Sequence, residues 1–215
     1  MGITPAALKI LSDMQKNDFF SDKPLRVMEF GSQEVHCNSP ELISEVFDAF
    51  RVGIERRARI DFAEKGRRLF EILGFNYECA DLDGSEKSLP WNLNTMNCPE
   101  GYRGYFSLTT NHGTTEHLIG QDNAFRLMHD LTTVGGYMMH TLPCTGQVNH
   151  GFFSYSPLFF YALAEANQYE IKYFLLTDFN LLRVYNPDEE LPAFSYIITV
   201  MQKINQQPYR SPLQL

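Results

Sequence analysis

The chain has 215 residues, of which 44% are hydrophobic, 20% charged and 13% aromatic. That is the composition of a globular protein able to bury its own core, not of a disordered or low-complexity one. Eighteen Lys and Arg against 26 Asp and Glu leave a formal charge of -8, which disfavours broad, sequence-independent binding to nucleic acid.

The chain opens Met1-Gly2-Ile3-Thr4-Pro5, without the basic-then-apolar pattern of a secretory leader. No window approaches the roughly 20 apolar residues of a membrane span. A cytoplasmic protein is therefore expected. Residues 1–24 read as an N-terminal helical extension of a single domain, 1–215, whose core covers about residues 25–201. Residues 25–30 form a short buried strand stopped by Gly31. Arg51, Arg56, Arg57, Arg59, Lys65, Arg67 and Arg68 then crowd one stretch, read as the solvated face of a surface helix or as an anion site.

Phe62, Gly66, Leu69 and Leu73 fall on one face of a helix over residues 60–73, closed by Gly74. A second strand, 77–80, ends at Asp81-Leu82-Asp83-Gly84. A further strand over 104–109 gives way to the polar run Thr110-Asn111-His112-Gly113-Thr114-Thr115-Glu116-His117. Residues 121–132 have helical spacing, ended by Gly135-Gly136, and 137–143 form a strand leaving through Pro143. Ser156-Pro157 is a helix start, with serine as cap and proline at the first helical position. Two β-rich segments, 170–176 and 194–201, finish the chain, joined by the turn-like residues 186–192. The four cysteines, Cys37, Cys79, Cys98 and Cys144, make no CxxC pair, which favours buried, reduced thiols over structural zinc.

Strands alternating with helices predict an α/β fold around a mainly parallel sheet. Ligands of such sheets sit outside the carboxyl ends of the strands, where each polar cluster above falls. His150, in the polar and aromatic loop Gly146-Gln147-Val148-Asn149-His150-Gly151-Phe152-Phe153, is the leading candidate for a general base, since an imidazole can take a hydroxyl proton near neutral pH. His112 is a second candidate. Glu116 and His117 read either as the first turn of a helix capped by Thr114 or Thr115, or as groups facing a substrate. His140, within Met138-Met139-His140, reads as a core histidine. No HExxH occurs, so no metal is expected.

The order of these segments resembles the class I S-adenosylmethionine-dependent methyltransferases, over about residues 25–201. Val27-Met28-Glu29-Phe30-Gly31-Ser32 is similar to the family's opening motif, an acidic residue followed by glycine. Asp81 or Asp83 stands where the family places a carboxylate for the ribose hydroxyls. Thr132-Thr133-Val134-Gly135-Gly136-Tyr137 is similar to the turn before its fifth strand, and the segments around Asn111-His112-Gly113, His140-Thr141-Leu142-Pro143 and His150-Gly151-Phe152-Phe153 to a bacterial subset. The resemblance implies a Rossmann-like, seven-stranded, mostly parallel sheet with helices on both faces and the last strand antiparallel.

It also implies S-adenosylmethionine as cofactor, held by Glu29, Gly31, Ser32, Asp81, Asp83, Asn94, Thr110 and Asn111, with Asn92 the alternative to Asn94 near an expected third strand. His150, His112 and Glu116 would serve methyl transfer to a small, hydroxylated or sugar-like acceptor. One departure stands out: a single glycine, Gly31, is followed by Ser32-Gln33-Glu34-Val35-His36, so side chains there either crowd the methionine end of the cofactor or supply replacement hydrogen bonds. That departure keeps a non-catalytic binding protein of the same fold as the rival reading. A nicotinamide-dependent oxidoreductase is disfavoured because no GxGxxG follows the first strand.

Overall fold

The computed structural model describes residues 2–179 and 181–213; Met1, Asn180, Gln214 and Leu215 lie outside the described residues. Thr4-Pro5 starts helix α1 (Pro5–Lys16), the Thr4 hydroxyl accepting from the Ala7 N–H at 3.2 Å. Strand β1 (Arg26–Phe30) follows. A short strand β2 (Glu34–Val35) leads into helix α2 (Pro40–Ala49), which Ser39 caps by accepting from Leu42 N–H. Strand β3 (Glu64–Lys65) pairs back on β2, then come helix α3 (Gly66–Ile72) and strand β4 (Asn76–Ala80). Strand β5 (Phe106–His112), helix α4 (Gln121–Leu131) and strand β6 (Thr132–Thr145) form the centre. Helix α5 (Pro157–Asn167), capped by Ser156, and strands β7 (Tyr169–Thr177), β8 (Leu182–Val184) and β9 (Ser195–Lys203) complete the order.

The main sheet has seven strands in the order β4-β1-β5-β6-β9-β7-β8. The run from β4 to β6 is parallel, and β9 lies antiparallel between β6 and β7. Alternation along each strand sends neighbouring residues to opposite faces, interrupted in β5 by a register shift between Phe106 and Leu108. Val27, Leu108, Met139 and Ile198 pack with α1, α2 and α3 on one side, while Met28, Phe106, Met138 and Ile197 pack with α4 and α5 on the other. Both faces are thus covered, as the sequence predicts. No described helix is long and apolar enough to cross a membrane, and all four cysteines are free.

Several boundaries differ from expectation. The helix read over 60–73 is only α3; Phe62 is 56% exposed and stacks on His36. The basic stretch is not one helix face. Its members pair locally, Arg57 with Asp48, Arg59 with Asp61, Lys65 with Glu34 and Arg68 with Glu64. Gly135 and Gly136 do not end α4 but lie inside β6, which begins where the helix stops. The expected third strand is reduced to one parallel bridge, Ala80 with Leu89. The seventh strand is instead β8, a short antiparallel addition to the opposite edge.

Candidate active site

The chain leaves β1 through a turn whose shape depends on Gly31. Its φ of +83° is left-handed, and a Cβ there would stand 2.6 Å from Thr114 Oγ1. The Gly31 N–H donates to Ala80 O at 2.8 Å and the Ser32 N–H to Asp81 Oδ2 at 3.0 Å, so the turn is stitched to the end of β4. Gln33 folds back across it, its Nε2 donating to Phe30 O (3.2 Å) and Thr114 Oγ1 (2.9 Å). Glu29 does not face this space. It is fully buried beneath the turn, accepting from Gln33 N–H and from the Tyr77 hydroxyl. Burial pushes its carboxyl up to about 7, against the opposing pull of the Tyr77 hydrogen bond.

A cavity of about 310 Å³ opens at the carboxyl ends of β1, β4 and β5. Gly31, Ser32 and Gln33 line it on one side, Asp81 and Leu82 on another, and Trp91, Asn92, Leu93 and Asn94 form a third wall. Of the two candidate carboxylates only Asp81 belongs to this cavity. Asp83 is exposed, and its Oδ1 accepts from the Ser85 N–H instead, so it shapes a turn. Asn94 lines the cavity, yet both ends of its amide are engaged: Nδ2 with Asn92 Oδ1, and Oδ1 with the Gly120 N–H.

At the end of β5 the structure corrects three expectations. Thr110, Asn111 and His112 are strand residues, wholly or almost wholly buried, and line neither this cavity nor the second one described below. Asn111 instead organises the turn beyond the strand, its Nδ2 donating to Thr115 Oγ1 and its Oδ1 accepting from Thr114 and Thr115 N–H. His112 bonds Thr141 Oγ1 through Nδ1 at 2.9 Å, and burial holds its imidazole down near about 4, so it stays neutral. His140 is likewise a core residue, packed among Phe125 and Phe160. Both rings are buried, His112 at 2% and His140 at 0% exposure, and neither lines either cavity.

Glu116 behaves differently. It lies in a 3-10 turn (Thr115–His117) with no side-chain cap, so the capping role is not what holds it. The residue is 0% exposed, and neither carboxylate oxygen has a hydrogen-bond partner among the described residues. Burial raises its carboxyl to about 7. The nearest groups are His150 Nε2 at 3.5 Å and His117 Nε2 at 3.9 Å from Oε1.

The loop before α5 reaches Glu116 because Phe152 N–H donates to Glu116 O at 2.8 Å and Gly151 lets the backbones close. A Cβ on Gly151 would stand 2.9 Å from both Glu116 O and Cγ. His117 lines the first cavity. His150 lines a second one, of about 690 Å³, with Thr4, His36, Asn38, Ser39, Phe179 and Tyr196. One histidine of this pair lines each cavity, and their ring centroids are 5.2 Å apart.

The sequence singles out His150 and Glu116 but not their contact, reads His117 only beside Glu116, and gives Trp91 and Tyr196 no role. A fold-dependent meeting of residues far apart in the chain leaves no local signal. The polar tripeptide Thr115-Glu116-His117 was the nearest hint.

No protein-family model matches the chain, and no curated protein matches it in sequence. Solved structures do. The 1,6-didemethyltoxoflavin-N1-methyltransferase of Burkholderia thailandensis, solved with 1,6-didemethyltoxoflavin and S-adenosylhomocysteine bound, aligns over 93% of this chain and 79% of its own, with 12% identity and a TM-score of 0.53. TehB from Haemophilus influenzae aligns over 89% of this chain and 62% of its own, with 11% identity and a TM-score of 0.51. At such identities the likeness is one of architecture. With its strand order, its covered faces and its cavity at the carboxyl ends of β1 and β4, the chain has the fold of the class I S-adenosylmethionine-dependent methyltransferases.

Proposed function

We propose that the chain transfers a methyl group from S-adenosylmethionine to a small, hydroxylated or sugar-like acceptor. The observation that carries this reading is the meeting of the Gly31 turn and Asp81 on one cavity at the carboxyl ends of β1 and β4. Asp81 uses one oxygen to hold Ser32 N–H, which leaves the other to accept from ribose hydroxyls. Leu82, Trp91 and Leu93 supply an apolar wall for adenine, and Asn92 and Asn94 supply polar edges. About 310 Å³ is at the lower end of small-molecule sites, a size that suits the adenosine portion rather than the whole cofactor. The methionine portion requires Gln33 to turn away from Thr114.

When bound, S-adenosylmethionine supplies a methyl carbon activated by its sulfonium sulfur. The protein's part is alignment and, for a hydroxyl acceptor, removal of a proton. The second cavity offers Thr4, His36, Asn38 and Ser39 as hydrogen-bonding groups and Phe179 and Tyr196 as flat faces, a lining suited to a hydroxylated ring. Its acceptor would meet His150, backed by the buried carboxylate of Glu116 and beside His117 of the first cavity. That pair is where the proton is drawn off.

The test is calorimetric titration of S-adenosylhomocysteine. Asp81→Ala should weaken binding about tenfold or more, the usual worth of a charge-assisted hydrogen bond, while Asp83→Ala leaves it unchanged. Absence of binding by the wild-type chain would select the non-catalytic reading of the fold instead.

A further inference from the structure

Three metal-ligating side chains converge between the two cavities. The ligand atoms of Glu116, His117 and His150 all lie within 4.8 Å of one another. We propose that these residues bind a divalent first-row transition-metal ion.

Three observations carry the inference. Glu116 is 0% exposed, yet both of its carboxylate oxygens lack a hydrogen-bond partner among the described residues. A buried carboxylate left this way is costly unless something cationic completes its shell. The spacing is close to that of a formed site. Bonds of about 2.0–2.2 Å in a tetrahedral shell put neighbouring ligand atoms about 3.3–3.6 Å apart, and Glu116 Oε1 stands 3.5 Å from His150 Nε2 and 3.9 Å from His117 Nε2. Both imidazoles are partly exposed, at 32% and 46% of the side chain, so they can rotate the remaining distance toward the fixed carboxylate. The backbone also holds the parts together, through the hydrogen bonds of Phe152 and Phe153 N–H to Glu116 O and the close passage of Gly151.

The donor set chooses the metal class. Two imidazole nitrogens and one carboxylate suit zinc, cobalt or iron, whereas magnesium and calcium take oxygen ligands. Three protein ligands leave a coordination position open, the pattern of a catalytic rather than a structural site. An ion there would polarise an acceptor hydroxyl and release its proton to water, so that His150 acts through the metal. This consequence rests on the methyl-transfer reading; the binding of the ion does not.

Chelator-treated protein titrated with Co²⁺ should take up one equivalent and develop the visible absorption of a low-coordinate nitrogen and oxygen site, which Zn²⁺ then displaces. His117→Ala, His150→Ala and Glu116→Gln should each weaken uptake by at least the roughly 10- to 100-fold that loss of a mere outer-shell partner costs. Unchanged thermal unfolding would show that the fold survives, and the two histidine variants, being part-exposed, guard against a Glu116 variant that does not fold. S-adenosylhomocysteine titrated into the same samples separates the two readings. Binding of S-adenosylhomocysteine with no saturable Co²⁺ uptake overturns the metal site. Uptake of Co²⁺ without S-adenosylhomocysteine binding supports the metal site and overturns methyl transfer. Equal Co²⁺ affinity in wild type and in the variant that combines the three substitutions overturns the assignment of these ligands.

Discussion

At Gly31 a missing side chain and a neighbouring present one work against each other. The left-handed turn keeps backbone open to a ligand, but the Gln33 amide lies across it, bonded to Phe30 O and Thr114 Oγ1. Each such bond is worth about 0.5–1.5 kcal/mol net, and a ligand seated over Gly31 must break both or replace them. Gln33→Ala removes that competition. It should bind S-adenosylhomocysteine about fivefold to tenfold more tightly, with adenosine, which lacks the methionine end, bound as before. A fall in S-adenosylhomocysteine affinity would mean that the amide recognises the ligand instead of covering its seat. The sequence already marks the position, since Gly31 is followed by bulky polar residues; where the Gln33 side chain goes depends on Thr114, brought alongside by β5.

Among the elements, helix starts are the most legible features. Ser156-Pro157 reads as a cap, and the structure shows the same signal opening α1 at Thr4-Pro5 and α2 at Ser39-Pro40. Each cap hydroxyl accepts one of the helix's orphan N–H groups. Ser39→Ala should therefore cost about 1 kcal/mol of unfolding free energy in urea, because α2 contributes Ile43, Val46 and Phe47 to the core; no change would show that Glu41 or water replaces the cap. Strand ends were less legible. Thr110-Asn111-His112 reads as a polar loop, but β5 is flanked on both sides. Phe30 pairs with Asn111, and Asn111 and His112 pair with His140 and Thr141. Ladder hydrogen bonds from two neighbours extend a strand through residues whose polarity alone suggests a turn. The converse holds at residues 81–105, where expected β structure shrinks to a single bridge.

Across the whole molecule, burial takes several titratable groups largely out of bulk water, Glu29, His112 and His140 on the central strands and His129 on α4, and these set how stability responds to pH. Burial holds His112 and His129 near about 4 and His140 near about 3, while an unfolded histidine titrates near about 6.5. The stability they contribute is complete above about 6.5 and is lost as pH falls through the folded values. Glu29 has the opposite sign. Burial raises it from an ordinary 4.5 to about 7, opposed by the Tyr77 and Gln33 hydrogen bonds and by the charges of Lys65 and Arg67. Its protonated form is favoured in the fold, so its contribution is complete below about pH 4.5 and is lost as pH rises through about 7. The whole span is worth about 3 kcal/mol. Glu29→Gln keeps an oxygen for Tyr77 and Gln33 but carries no charge at any pH. It should match wild type at pH 4.5 and exceed it by a few kcal/mol at pH 8 in urea unfolding. Because variant and wild type share every other titrating group, the histidines and Glu116 included, the difference between their two pH curves isolates Glu29. Parallel curves would show that its carboxyl keeps its ordinary pKa within the fold, the Tyr77 and Gln33 hydrogen bonds and the charges of Lys65 and Arg67 offsetting the cost of its burial.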